Sequence, residues 1–216
     1  LETLSSLDAL VTSLGKGVED ASSLLADVNT EDLVPALGEP ISKLQRYLEK
    51  AKPFTVQASS VMSILPSFLG AEGERNYLLL FMNNAEVNSL GGDSAQRALL
   101  HVANGSIELG GTTSSNDLKD MPDSFDMPES AVDVFGGIIE KDMNLATSRP
   151  DFPSVGDFSK RVYEYYFGQR IDGVIALDPV MLSYLLRATG PIPLSTGDEL
   201  NSTNVASLLL HDIYLR

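Results

Sequence analysis

Cysteine and tryptophan are absent from the 216 residues, histidine occurs twice, and cationic side chains are outnumbered two to one. Without a thiol there is no thiolate nucleophile, no thiolate metal ligand and no disulfide. His101 and His211 have no carboxylate pair beside them in the sequence. A histidine metal site or a Ser-His-Asp triad needs several converging groups, so neither is expected. Thirty carboxylates against fifteen Lys and Arg give a net charge of −15 and a pI near 4.4. Nucleic acid is held by cations that neutralise its phosphates, so nucleic-acid binding is disfavoured, as is adhesion to an anionic membrane face. Long apolar runs are missing too. The longest, Tyr77 to Met82, has strand length and falls far short of the roughly 18 residues of a membrane span. No phosphate-binding glycine loop is present, and Gly91-Gly92, followed by Asp93, reads as a turn.

What remains is ordinary for a globular chain: 43% apolar and 21% charged residues. The length suits one domain, or one with an appendage, and buries enough surface to need no staple. The chain starts at Leu1 and stops at Arg216 inside a helical pattern. The expectation is a piece of a longer protein, with a signal or anchor segment removed.

The first 70 residues carry heptads. Leu7, Val11, Leu14, Val18, Ala21, Leu25 and Val28 form one apolar seam. A second helix opens at Glu39-Pro40 and repeats the seam through Ile41, Leu44, Leu48, Ala51, Thr55, Ala58, Met62 and Leu65. A short helical candidate, Thr30 to Leu37, lies between them, and Gly15, Gly17 and Pro53 weaken or kink the helices. The pattern predicts a long antiparallel hairpin. It reads equally as a stiff spacer between a membrane and a globular head, or as a helical layer on the domain's own sheet.

Residues 71–216 read differently. Asn76 to Met82 does not alternate and predicts a strand buried on both faces. Arg97 to Ala103 and Ser106 to Leu109 flank Asn104-Gly105, a β-hairpin signal. Gly110 to Glu129 is polar and acidic, a long exposed loop by expectation, and Glu129 to Met143 is a helix broken at Gly136-Gly137. Ser154 can cap a helix with Val155, Phe158, Val162 and Tyr165 on its apolar face. Ile171 to Leu177 is a strand, and Asp178-Pro179 starts a helix carrying Leu182, Leu185 and Leu186. A short strand, Ile192 to Leu194, follows, with Ser202 or Thr203 capping a last helix. The fold class is therefore α/β: a layered mixed sheet with helices on both faces, preceded by the hairpin.

Three polar clusters are candidates for chemistry. Asn83, Asn84 and Glu86 sit where the first strand ends, the end at which open α/β sheets usually bind ligands. They could orient a sugar or a phosphate, or could simply close the turn, a common task for Asn. Arg149 and Asp151, stiffened by Pro150 and Pro153, suit contact with phosphate. Asp151 could equally assist the next helix cap, and an Arg–Asp ion pair is the plainer reading. Asp172 and Asp178 read as structural. The series Asp117, Asp120, Asp123 and Asp126 lacks the spacing, glycine and terminal glutamate of a Ca²⁺ loop, and reads as a solvated acidic loop.

Asn76-Tyr-Leu-Leu-Leu-Phe-Met-Asn-Asn-Ala-Glu86, Leu90-Gly-Gly92, Asp151-Phe-Pro153, Asp172-Gly-Val-Ile-Ala-Leu-Asp-Pro179 and Thr189-Gly-Pro191 occur in that order. With Tyr214 in His-Asp-Ile-Tyr-Leu, this resembles the bacterial family of unknown function DUF4012, over roughly residues 65–216. More distantly it is similar to the LytR-CpsA-Psr phosphotransferases, which move lipid-linked glycopolymers to peptidoglycan with Arg and Asp around a pyrophosphate and often Mg²⁺. The resemblance implies an extracytoplasmic envelope protein of Gram-positive bacteria, anchored by an N-terminal transmembrane helix absent from this sequence. The implied ligand is a polysaccharide or polyprenyl phosphate, with Mg²⁺ as a candidate companion and no cofactor certain. Two departures stand out. An Arg is expected soon after Ala85-Glu86, where this chain has Val87-Asn88. After Gly92 the family pattern Phe-x-Gly-Ser is replaced by Asp93-Ser-Ala-Gln96. Arg75, Arg97 and Arg149 are left as anion contacts. The alternative is a structural scaffold or protein-interaction module of the envelope, without a small-molecule site. No reaction is legible, and oligomeric state is open.

Overall fold

The structure, a computed structural model, describes residues 2–118 and 125–215, and the chain divides into two compact units. One comprises Leu1–Glu74 with Val102–Ser106, the other Arg75–His101 with Ile107–Arg216.

The first unit is an antiparallel pair of helices, α1 (Glu2–Ala26) and α2 (Pro35–Phe68), joined through a 3₁₀ turn at Thr30–Asp32. The Asn29 side chain caps that turn by accepting from the Glu31 N–H. α2 begins at Pro35, not at Glu39-Pro40, because Pro35 already occupies the first turn, where a missing N–H is harmless. The helix then runs through Pro40, Pro53 and Pro66. Gln45 Nε2 donates to the carbonyl oxygens of Leu25 (2.9 Å) and Val28 (3.1 Å), and Lys52 pairs with Glu19 at 3.3 Å. A Cβ on Gly15 would lie 3.7 Å from Thr55 Cβ. These contacts fit one register, in which facing residue numbers add to about 70. The seam is largely the expected one: Val11, Val18, Ala21, Leu25 and Val28 of α1 and Ile41, Leu48, Ala51, Thr55, Ala58, Met62 and Leu65 of α2 are buried or half-buried, while Gly15 and Gln45 stand in for Leu14 and Leu44. Small residues at the contact let the backbones approach, and Leu7, Leu14 and Leu44 are left exposed.

The second unit holds a four-stranded sheet of order β3-β2-β1-β4, with β1 Arg75–Asn83, β2 Asp93–Ala103, β3 Ser106–Ser114 and β4 Gly173–Leu177. β1 and β4 are parallel, with Tyr77 opposite Gly173 and Phe81 opposite Leu177. β2 runs against β1: Asn76 at the start of β1 meets His101 near the end of β2 (2.9 Å), and Asn83 at its end approaches Gly92. The Asn104-Gly105 turn has positive φ at both residues (52° and 83°), as the hairpin requires. At its tip, in the first unit, Asn104 and Gly105 N–H groups donate to Gly70 and Leu69. β2 and β3 are both longer than the alternation suggested, and the stretch expected as an exposed loop after Gly110 continues as strand to Ser114. Leu118 and Met127 of that stretch are buried in the core, and Phe125 packs edge-on against Phe158 and Tyr165.

One face of the sheet carries the core. Leu78, Leu80 and Met82 of β1 pack with Val155, Phe158, Val162 and Tyr163 of α4 (Phe152–Phe167). α3 (Glu129–Phe135), broken at Gly136 as expected, adds Ala131, and the 3₁₀ turn Gly137–Glu140 that follows it adds Ile139. Tyr163 rather than the expected Tyr165 is the buried tyrosine of α4, and Gly156 allows close packing on Val174 (3.6 Å to a Cβ). β1 is indeed covered on both sides, since Tyr77 and Leu79, which point the other way, are buried too. Beyond β4, α5 (Pro179–Thr189), the pair β5 (Ile192–Pro193) and β6 (Glu199–Leu200), and α6 (Val205–Leu210) enclose a small cluster of Leu186, Leu200, Val205 and Leu208. Asn204 precedes α6 without a side-chain cap bond, and Asn201 accepts from the N–H groups of Thr203 and Asn204, so neither Ser202 nor Thr203 is the cap.

Candidate functional site

β1 ends in a polar knot. Asn83 Oδ1 accepts from the Ala85 N–H at 3.1 Å, and its Nδ2 donates to Glu86 at 2.9 Å. Asn84 Nδ2 donates to the Gly91 carbonyl (2.6 Å) and to Asp178 (3.2 Å), the residue that caps α5 by accepting from the Met181 N–H. The loop 84–92 returns over the strand end, and Gly91 and Gly92 both take positive φ. It is tied sideways to the segment before α4. The Leu90 N–H donates to Thr147 O at 3.1 Å, and Asn88 Nδ2 donates to Thr147 Oγ1 at 2.9 Å. The turn-closing role for Asn83 and the helix-cap role for Asp178 are both realised.

Arg97 stands within β2, four residues after Asp93. It is fully buried, an unusual place for a guanidinium. Nη2 donates to Asn144 Oδ1 at 2.5 Å, while Nε and Nη1 have no hydrogen-bond partner among the described residues. Asp93, on the same face of β2 four residues earlier, and Asp142 act on it electrostatically, with neither within ion-pair distance among the described residues. Burial lowers the Arg97 guanidinium to about 10, and the two carboxylates oppose that shift. It stays charged at neutral pH. Asp93 is pushed up, first by burial and then by the Glu86 carboxylate. Asp142 is engaged as a local cap, accepting from the N–H groups of Asn144 and Leu145. Asn84 Oδ1 and Asn88 Oδ1 are also buried acceptors without a donor. Among the described residues, two donors of one buried cation and two buried amide acceptors therefore lack hydrogen-bond partners. Burying such groups unsatisfied costs about 1–3 kcal/mol each.

The remaining candidates are placed elsewhere. Arg149 is buried, donates to Met127 Sδ at 3.2 Å and lies 4.0 Å from Asp151. Asp151, rather than Ser154, caps α4, accepting from the Ser154 N–H and hydroxyl. That hydroxyl bond, first, holds its carboxyl below the usual range. Arg75 sits at the opposite end of β1, 3.6 Å from Asp172, whose other oxygen accepts from the Asn76 N–H. Of the seven candidates, Asn83, Asn84 and Glu86 share the turn after β1, and Arg97 is linked to Glu86 only through Asp93. Arg149 and Asp151 form a neighbouring pair, and Arg75 is not brought to either. Asn88 and Thr147 join the loop to the segment before α4; Asn88 stands out in the sequence only as a departure from the family pattern, and Asn144 and Thr147 only as members of the polar stretch Asn144 to Pro153. Asp93 was visible only as a departure from the family pattern.

Asp117 accepts from the Ser114 N–H at 2.6 Å, and Asp120 and Asp123 lie outside the described residues, as does the side chain of Tyr214. His101 bonds Asn76 and His211 bonds Asp212, each 2.9 Å away. Among the described residues no group of three or more His, Asp or Glu could hold a metal ion, and no helix is long and apolar enough to cross a membrane. Neither the curated proteins nor the solved structures contain a match to this chain. The profile of one family does match, over residues 72–214: the protein of unknown function DUF4012. That span takes in the whole sheet, the knot at the β1 exit and every helix after it, so the chain belongs to the DUF4012 family.

Proposed function

We propose that this is an extracytoplasmic domain of the cell envelope whose β1 exit binds a unit of a glycopolymer or its lipid-linked phosphate precursor. One observation carries the reading: the fully buried Arg97 has two N–H groups, and Asn84 and Asn88 of the loop after β1 each a carbonyl oxygen, with no hydrogen-bond partner among the described residues. A sugar phosphate supplies the complementary set. Its phosphoryl or ring oxygens accept from Arg97, and its hydroxyls donate to the two amides. Glu86 and Asp93 border the same knot, and Mg²⁺ would enter there with the phosphate instead of through a cage of protein ligands.

Thermal unfolding with a short-chain polyprenyl phosphate and with a sugar 1-phosphate, each with and without Mg²⁺, tests this. A ligand at a hundred times its Kd stabilises by about 2.7 kcal/mol. Arg97→Met, close in shape and neutral, should stay folded by circular dichroism and lose that shift. If no probe stabilises the wild-type chain at large excess, or if Arg97→Met responds as the wild type does, the reading fails. The contrasting role, a scaffold without a small-molecule site, draws on a different feature, the outer surface of the helical hairpin.

A further inference from the structure

The two helices of the hairpin each carry a second apolar stripe that none of the described residues covers. On α1 it consists of Leu7, Leu10, Leu14 and Leu24; on α2, of Leu44, Tyr47, Phe54 and Val61. All eight are exposed, Leu24 to 80% and Phe54 to 71%. Most of these residues immediately precede a seam residue: Leu10 before Val11, Leu14 before Gly15, Leu24 before Leu25, Leu44 before Gln45, Tyr47 before Leu48, Phe54 before Thr55 and Val61 before Met62. In an antiparallel pair, equal offsets from the seam fall on the same side of the plane of the two helices, so the stripes merge into one apolar face. The opposite side, with Lys16, Glu19, Arg46 and Glu49, is polar apart from Val56.

We propose that this face is the interface with a second copy of the chain, and that two hairpins close into a four-helix bundle. Two arguments on area and charge select that occupant. Side chains of this size expose on the order of 150–250 Å² each, so the eight fractions amount to roughly 900 Å² per copy, the scale of a standard protein interface and beyond the usual patch of a monomer. The rims of the face are complementary. Along the α1 edge stand Asp20 and Asp27, along the α2 edge Lys43 and Lys50, all exposed and none in an ion pair among the described residues. In the hairpin register Asp20 is level with Lys50 and Asp27 with Lys43. A two-fold axis parallel to the helices lays α1 of each copy over α2 of the other, so each acidic edge meets a basic edge at matching height. A two-fold axis across the helices would set acidic edge against acidic edge, so the charges choose the first. An anionic lipid surface fits this face poorly, because the helices carry more carboxylates than cations.

Sedimentation velocity over a concentration series of the full chain should show a monomer–dimer equilibrium. Leu14→Glu and Phe54→Glu should each weaken the dimer at least tenfold, while Val56→Glu, exposed on the polar side, should leave it unchanged. Lys50→Asp should weaken it, and Asp20→Lys combined with Lys50→Asp should restore it. Since the chain has no cysteine, Asp20→Cys with Lys50→Cys should give a disulfide-linked dimer on mild oxidation. A chain that stays monomeric at the highest attainable concentration overturns the proposal, as does failure of the charge swap to restore association. None of these measurements depends on Arg97, so the two proposals stand or fall separately.

Discussion

Gly92 lies so close to the end of β1 that a Cβ there would come within 2.5 Å of the Asn83 carbonyl oxygen, and its φ of 145° is one that L side chains rarely adopt. Gly92→Ala is therefore expected to cost about 1–3 kcal/mol, read from the urea midpoint, with Gly111→Ala, which meets nothing within 4 Å, as the mild comparison. Asp93 supplies a pH signature. Its folded pKa is raised above the unfolded value, so between the two the native state holds the proton that the unfolded state has lost. Its contribution is present below the unfolded pKa and is lost as pH rises through the folded one. Asp93→Asn should abolish this loss: the stability difference, variant minus wild type, should grow as pH rises through that window in urea titrations. A flat difference would mean that Asp93 is not desolvated in the folded chain. Arg97 has the reverse habit. Its lowered value, about 10, means that the folded chain gives up this proton more readily than the unfolded chain, but only far above neutrality, so it is a fixed charge in any physiological assay.

Among the elements, α5 and α2 give the sharpest tests. Asp178 both caps α5 and receives Asn84, so Asp178→Ala should lower stability by about 1 kcal/mol through the lost cap. In α2, Pro53 has no N–H to continue the helix ladder, and Pro53→Ala should raise the thermal midpoint, by up to about 3 kcal/mol in free energy. What the sequence disclosed at this scale was local chemistry. The run after Arg75, Asn104-Gly105 and Asp178-Pro179 each carry their own instructions within a few residues, and each forms what it spells. Most of the seam is legible in the heptads; it departs at Leu14 and Leu44, where the neighbouring Gly15 and Gln45 face the other helix instead. The first residues of β2 were missed because Asp93 to Gln96 has no apolar alternation. The burial of Arg97 depends on Asn144, 47 positions away, and no single-sequence pattern reports such a pairing.

For the molecule as a whole, a net charge of −15 opposes compaction by self-repulsion. Added sodium chloride should raise the urea midpoint as the carboxylates are screened, and the rise should level off once the screening length falls below typical charge spacings. A midpoint that falls with salt would show that attractive pairs such as Lys52–Glu19 dominate instead. The register of the two long helices has a mechanical corollary. Glu2 and Phe68 are level with one another, while the turn at Thr30–Asp32 is at the far end. A polypeptide that goes out and comes back gains no net reach, however long its arms. The two open ends of the hairpin, Glu2 and Phe68, are thus held near each other, and lengthening both helices together would move only the tip.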